Sequence, residues 1–509
     1  MSRLFSNASL QNFAKVIVRY RRGPNHWVCK RICLLKEKAH ARTLEYFDEF
    51  YGNVYGAKWQ DIREALLQES HKYMAVVNNF SDSEKTQKFL KEQGAVSLKE
   101  MYDLLEKRLK EYAEDKKSRR KKKAIDTVTT QDVNLAIVDA QASTIESLYP
   151  EEYRDRLAGA KLDAEGTQCK ATEEEIESAK MITIDPSLNE VAPDQGRIVK
   201  PNVNVAGLFE YVPTTKLKGI SDFVLESEYY EHYTKGKDFT IEIVEEVTLS
   251  FPKHLHAYAF GSENDTLFPS PNMGSTNVLD YYLFDGASIL PVLALDLKGG
   301  EIVLDMCAAP GGKSLAILQT LTPRVLVVND FSESRLNRIH QVFEQFTKGF
   351  ENTHTKVVFS QDDASMIQDT NIYDRILVDV PCTTDRHSLH SHENNIFKPT
   401  RVKERLRLPE QQTEILLNAF RLIKKGGIVV YSTCSLSPIQ NDGVVQLAIK
   451  RAWEEENIRL IVKNLTTALK PLGHFFEFGK SGLKYGHIAI PTLKNNWGPM
   501  YFSKISRVE

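Results

Sequence analysis

From residue 302 onward, short β-branched and aliphatic runs alternate with longer amphipathic stretches. Residues 302–305, 325–328, 357–359, 375–380 and 428–431 read as strands. Residues 314–319, 333–346, 402–423 and 439–453 read as helices. The strand runs are apolar throughout rather than alternating, which predicts burial on both faces. The pattern therefore predicts an α/β, doubly wound parallel sheet with helices on each side. Residues 487–490 and 500–502 are expected to supply two closing strands. Ahead of the sheet, 279–297 is apolar enough for a buried helix, broken or kinked at Pro291 and ended by Lys298-Gly299-Gly300. Residues 38–109 read as helical, with Tyr46, Phe47, Phe50 and Tyr51 at helical spacing.

Length and charge change this picture at the N-terminus and in the middle. The 509 residues allow two or three domains, and the net charge of −2 places any nucleic-acid contact on a local basic face or on a partner. No acid precedes Glu37, while Arg3, Lys15, Arg19, Arg21, Arg22, Lys30, Arg31 and Lys36 are basic. A cationic, acid-free amphipathic start predicts a mitochondrial transit peptide over 1–36. A mainly helical region is expected over 37–110, and a charged, partly disordered insertion over 111–215. A connecting region over 216–278 leads to the main domain, 279–509. The basic run 116–123 reads as a solvated linker, with a nuclear signal or an RNA-binding patch as the alternatives. Six cysteines do not make a disulfide scaffold, and the C-x3-C pair Cys29 and Cys33 lacks a second pair for zinc. No metal is expected. No apolar run reaches the ~18 residues of a membrane-spanning helix.

The candidate chemistry gathers at strand ends. Cys307-Ala308-Ala309-Pro310-Gly311-Gly312-Lys313 follows the first strand and opens a helix. Glycines there admit a nucleotide-like cofactor close to the backbone. Asp330 ends the next strand, where an acid accepts from ribose hydroxyls, and Asp362 and Asp363 follow the third, where they are expected to reach an adenine amino group of the cofactor. Gly312-Lys313-Ser314 resembles the end of a phosphate-binding loop, but that motif needs glycine where Cys307 stands. Asp379 and Cys382 end one strand; Cys434 ends another. A thiolate adding to carbon 6 of cytosine makes carbon 5 nucleophilic, and a second base must then remove the carbon-5 proton. Two thiols and a carboxylate meet that need, so group transfer to a cytosine in RNA is the leading reading. Ser437-Pro438-Ile439-Gln440 reads as a capping box whose helix dipole would favour the Cys434 thiolate. Lys313 would add positive charge or steer the cofactor.

At these residues the chain resembles the Nol/Nop/Sun-domain RNA cytosine-5 methyltransferases, and its mitochondrial ribosomal RNA branch in particular. The likeness rests on 304–313, on Asp379-Val380-Pro381-Cys382 and on Ser432-Thr433-Cys434-Ser435. It extends through Asp385-Arg386-His387 to Asn394-Asn395-Ile396-Phe397, and to 75–80, 281–283 and 498–502. The resemblance implies a methyltransferase sheet with an antiparallel final strand and S-adenosyl-L-methionine as cofactor. It implies Cys434 as nucleophile, Cys382 as the helper in product release, and Asp379 at the base. It implies Gly311, Gly312, Lys313, Asp330 and Arg335 around the cofactor, with Asp363 standing where a glycine is expected. It also implies ribosomal RNA of the mitochondrial small subunit as substrate and an mTERF-family protein partner. The alternatives are an RNA-binding assembly factor with little catalysis and a transfer-RNA methyltransferase. Basic residues from Arg386 to Arg407 read either as phosphate contacts or as a solvated helix face.

Overall fold

The computed structural model describes residues 25–69, 71–125, 240–261, 264, 266–348, 355–391, 395–479 and 483–508. Most of the expected transit segment, 126–215 of the expected insertion 111–215, 216–239 of the connecting region, His392 and Asn394 lie outside them. The chain divides into two compact units, Met1–Glu106 with Ala206–Glu509, and Lys107–Val205. Of the second unit, the described residues belong to a helix running to Ile125.

In chain order the elements are α1 (Asn25–Tyr55), α2 (Trp59–Leu67), β1 (Met74–Val77), α3 (Ser83–Glu92), β2 (Val96–Ser97), α4 (Leu98–Ile125), β3 (Ile243–Glu245), β4 (Ala257–Ala259) and β5 (Tyr281–Phe284). Then come α5 (Ile289–Ala294), β6 (Ile302–Asp305), α6 (Gly312–Gln319), β7 (Val325–Asn329), α7 (Glu333–Thr347), β8 (Lys356–Ser360), β9 (Tyr373–Asp379), α8 (Asp385–His390) and α9 (Val402–Leu422). The chain ends with β10 (Ile423–Thr433), α10 (Val444–Glu456), β11 (Leu460–Asn464), β12 (Glu477–Phe478), β13 (His487–Ile490) and β14 (Met500–Arg507).

The main sheet runs β12-β13-β14-β10-β9-β6-β7-β8. Strands β10, β9, β6, β7 and β8 are parallel; β14 is antiparallel to β10. Both sides are buried, as the apolar runs predict. Along β9, Ile376 and Val378 enter one hydrophobic cluster and Leu377 enters the other. Along β10, Val429 and Tyr431 face one side and Val430 the opposite side. Strand order reverses at β6, whose neighbours are β7 and β9. A crevice opens at the carboxyl ends of strands at such a switch point.

Two readings of the sequence are corrected. The helical stretch 38–109 contains strands β1 and β2, which join β4 and β5 in a second sheet ordered β2-β4-β1-β5. Met74 and Val76 pack toward the main core, while Ala75 and Val77 meet Tyr258 and Tyr281 on the far side. The partners come from roughly 160–210 positions further on, so local periodicity carried no trace of the pairing. The expected helix over 279–297 is strand β5 followed by α5. Pro291 sits in the first turn of α5, where its missing N–H has no helical acceptor to lose.

Candidate functional site

β6 ends at Asp305, which is fully buried. Ser314 donates to its Oδ2 at 2.5 Å, while Oδ1 has no partner among the described residues. Burial first, and then the Asp379 charge, push its pKa up to about 7. The chain then turns through Cys307–Pro310. Gly311 caps α6 with φ of +104°, a backbone conformation that a side chain disfavours. Cys307 is a thiol raised by burial, and so a poor nucleophile.

β9 and β10 lie side by side with Asp379 opposite Ser432. Ser432 donates to Asp379 Oδ1 at 2.8 Å, and Lys313 Nζ meets Oδ2 at 2.6 Å. Burial works against the Lys313 ammonium, but Asp379 outweighs it and its pKa lies above the ordinary value. Just beyond these strand ends, the Sγ atoms of Cys382 and Cys434 approach to 3.2 Å as free thiols. The hydrogen bond with Cys382, then burial, hold the Cys434 thiol well up, and Lys313 opposes them.

The expected capping box after Cys434 does not form. The segment Ile439–Gly443 opens as a π-helical turn with no side-chain cap. Gln440 instead accepts from Thr383 N at 3.2 Å and donates to Thr383 Oγ1 at 3.3 Å. The amide that would have closed a capping box is spent tying the Cys434 loop to the Cys382 loop.

A buried carboxylate completes that tie. Asp385 accepts from Thr383 Oγ1 (2.6 Å), Leu436 N (2.7 Å), Tyr51 OH (2.8 Å) and Ser435 Oγ (3.4 Å). Burial pushes its pKa up to about 6 despite these donors. Thr384 between the two loops has φ of +44°, a strained position held by its neighbours. Asp385 and Tyr51 were not recognised as functional from the sequence. They lie 334 positions apart, and only the contact itself relates them.

A cavity of about 670 Å³ brings together Lys313, Asp379, Cys382, Cys434, Pro310 and Arg335. Gly311 and Gly312 follow Pro310 in the chain and Asp330 pairs with Arg335, but none of Gly311, Gly312 and Asp330 lines the cavity itself. Asp330 is nearly buried; its Oδ1 is held by Arg335 at 3.0 Å and Ser332 N at 2.9 Å. Among the described residues its Oδ2 receives only a 3.4 Å contact from Ala309 N, so acceptor capacity remains. Asp362 and Asp363 stand exposed past β8 and are turned to Ser360 and Ser365; neither lines this cavity.

The basic residues after Cys382 separate. Arg386 donates to the carbonyls of Gly498 and Asn496, Arg401 pairs with Glu404, and Arg405 lies 4.8 Å from the rings of Tyr46 and Phe397. His390 Nε2 meets the Leu66 carbonyl at 2.6 Å. Lys403 and Arg407 are exposed. Much of the charge that read as a phosphate face therefore braces the fold.

The 16S rRNA methyltransferase RsmB/F family matches residues 292–479. The 5-cytosine rRNA methyltransferase NSUN4 of Xenopus tropicalis is 44% identical over 257 residues, 50% of this chain and 63% of that protein. The 5-cytosine rRNA methyltransferase nsun-4 of Caenorhabditis elegans is 32% identical over 484 residues, covering 92% of each chain. Among solved structures, a methyltransferase homolog protein from Pyrococcus horikoshii matches at 26% identity with a TM-score of 0.33, over 45% of this chain and 68% of that one. The match spans 63% of the length of the Xenopus relatives. The chain belongs to the Nol/Nop/Sun-domain family, and its core is the Rossmann-like methyltransferase sheet of that family.

Proposed function

We propose that the chain is an S-adenosyl-L-methionine-dependent RNA (cytosine-5-)-methyltransferase of mitochondrial small-subunit ribosomal RNA, serving assembly of that subunit. The observation that carries this reading is the pair of free thiols 3.2 Å apart, beside the Lys313–Asp379 pair, on one cavity. One sulfur is enough to attack a ring. A second, within reach of the first, suits a reaction that must also release the product. The names of the Xenopus and nematode relatives support ribosomal RNA. The acid-free segment 1–36, as a transit peptide, supports delivery to mitochondria. An mTERF-family partner would compensate for basic residues that are committed within the fold. The partition into 37–110, 111–215, 216–278 and 279–509 is proposed on the same footing.

The residues present fit the cofactor. The cavity has the size of a cofactor site, the Gly311 turn allows close backbone approach, and Asp330 keeps an oxygen with room to accept. Gly311, Gly312, Lys313, Asp330 and Arg335 would hold it, with Asp362, Asp363 and Asp379 at neighbouring strand ends. When bound, S-adenosyl-L-methionine supplies an electrophilic methyl group. The Cys434 thiolate adds to carbon 6 of the cytosine, and Lys313 stabilises that thiolate. Asp379, fixed by Ser432 and Lys313, contacts the base edge. Cys382 then helps remove the carbon-5 proton; the ring electrons re-form the double bond and expel Cys434 as thiolate.

The Cys382→Ala variant, incubated with RNA and cofactor, is expected to accumulate a denaturant-resistant protein–RNA adduct that Cys434→Ala cannot form. Accumulation by the Cys434 variant would exchange the two roles, and no adduct from either would end the reading.

A further inference from the structure

The wall formed by His71 and Tyr73 has no role in the chemistry above, yet it lines the same cavity as both thiols. It belongs to the link between α2 and β1, in the N-terminal extension. Tyr73 is 44% exposed. Its ring meets His71 at 4.8 Å and 73°, so the contact orients the ring without stacking on it. His71 Nε2 lies 3.3 Å from Asp285 Oδ2, and the same carboxylate accepts Gly498 N–H at 2.9 Å. Lys72 N donates to Asn496 Oδ1 at 3.0 Å. The link is thus fastened to the 496–498 loop directly through Lys72 and indirectly through Asp285, and Arg386, four residues after Cys382, is fastened to that loop from the catalytic side.

The charges select what this wall can bind. Glu69 and Asp285 are among the cavity's lining residues, while Arg386 is spent on backbone carbonyls, Lys313 is paired with Asp379 and Arg335 with Asp330. Such a surface disfavours phosphate and suits an uncharged aromatic ring. Every nucleobase has a π-face, and stacking on a protein aromatic is tolerant of base identity. The target cytosine itself is engaged by Cys434, Asp379 and Lys313.

We infer that Tyr73 is the stacking platform for a base adjacent to the target cytosine, held in place by His71 and Asp285. The inference rests on the proposed function and names where the single-stranded RNA enters. It makes Tyr73 a substrate-binding residue contributed by the extension rather than by the methyltransferase sheet.

The test uses the full chain and a short single-stranded RNA with one cytosine flanked by a fluorescent purine. Binding to the unaltered protein is expected to quench the purine. Tyr73→Phe keeps the quench; Tyr73→Ala loses it. With the corresponding unlabelled RNA, Tyr73→Ala is expected to raise KM for RNA about tenfold, the scale of one lost stack, with kcat and cofactor affinity little changed. An RNA lacking the flanking base should bind both proteins alike. The inference is overturned if Tyr73→Ala keeps the quench, if it weakens the RNA lacking that base equally, or if Tyr73→Phe fails to restore binding. Should the unaltered protein bind but methylate no RNA, the proposed function falls, while the quench still decides the platform.

Discussion

Asp305 shows how a residue can be chemically unusual without being a reagent. Its Oδ1 has no donor among the described residues, and burial raises its pKa to about 7. A carboxyl that holds its proton more tightly when folded lends stability in acid and loses it as pH climbs from the unfolded value toward the folded one. Between about pH 4 and pH 7 this group should therefore cost the fold on the order of 3–4 kcal/mol. The Asp305→Asn variant keeps the acceptor for Ser314 and removes the titration. Denaturant melts across that range should show a flatter pH dependence for the variant than for the parent. Parallel curves would mean that Asp305 keeps an ordinary pKa. The thiols follow a related logic: Cys434 sits in a pocket that favours its neutral form, and Lys313 opposes that effect.

At the scale of elements, the site depends on three loops leaving β6, β9 and β10, each brought to the switch point by sheet register. The turn before α6 is the most demanding. Gly311 has φ of +104°, and a Cβ there would lie 3.4 Å from Ile339 Cγ2. Gly311→Ala should cost about 1–2 kcal/mol of backbone strain and weaken cofactor binding more than it lowers the melting temperature. Calorimetry with and without S-adenosyl-L-methionine separates the two effects, and unchanged affinity would remove the turn from the cofactor site. The loops after β9 and β10 are joined by Thr383, Asp385, Ser435 and Gln440, and this network positions one sulfur against the other.

For the molecule as a whole, the N-terminal extension is part of the methyltransferase core. Phe47, Phe50 and Tyr51 of α1 pack in the same cluster as Phe397, Phe420 and Tyr431, and Tyr51 reaches Asp385. Strand β1 pairs with β5, covering Tyr281 and Phe284. A fragment comprising 279–509 would expose both surfaces, each large and aromatic. It is expected to lack a cooperative thermal transition and to aggregate, whereas the full chain melts cooperatively. A soluble, cooperatively folded 279–509 would show that the extension is an accessory.

The parallel sheet was legible because its signal is local: apolar runs of strand length, glycine punctuation and helices between them. That Asp379, Cys382 and Cys434 each stand at a strand end followed from that pattern, but that their two strands are neighbours was decided by the register of β9 against β10. The second sheet was not legible, because β1 and β5 are far apart in the chain and only packing makes them partners. Nor was the fate of the charges. Arg386 and Arg405 read the same as Lys403 in sequence, yet two are half-buried against carbonyls or rings and one meets water. Residue type sets what a group can do; burial and neighbours, which arise only when distant segments meet, set which of those things it does.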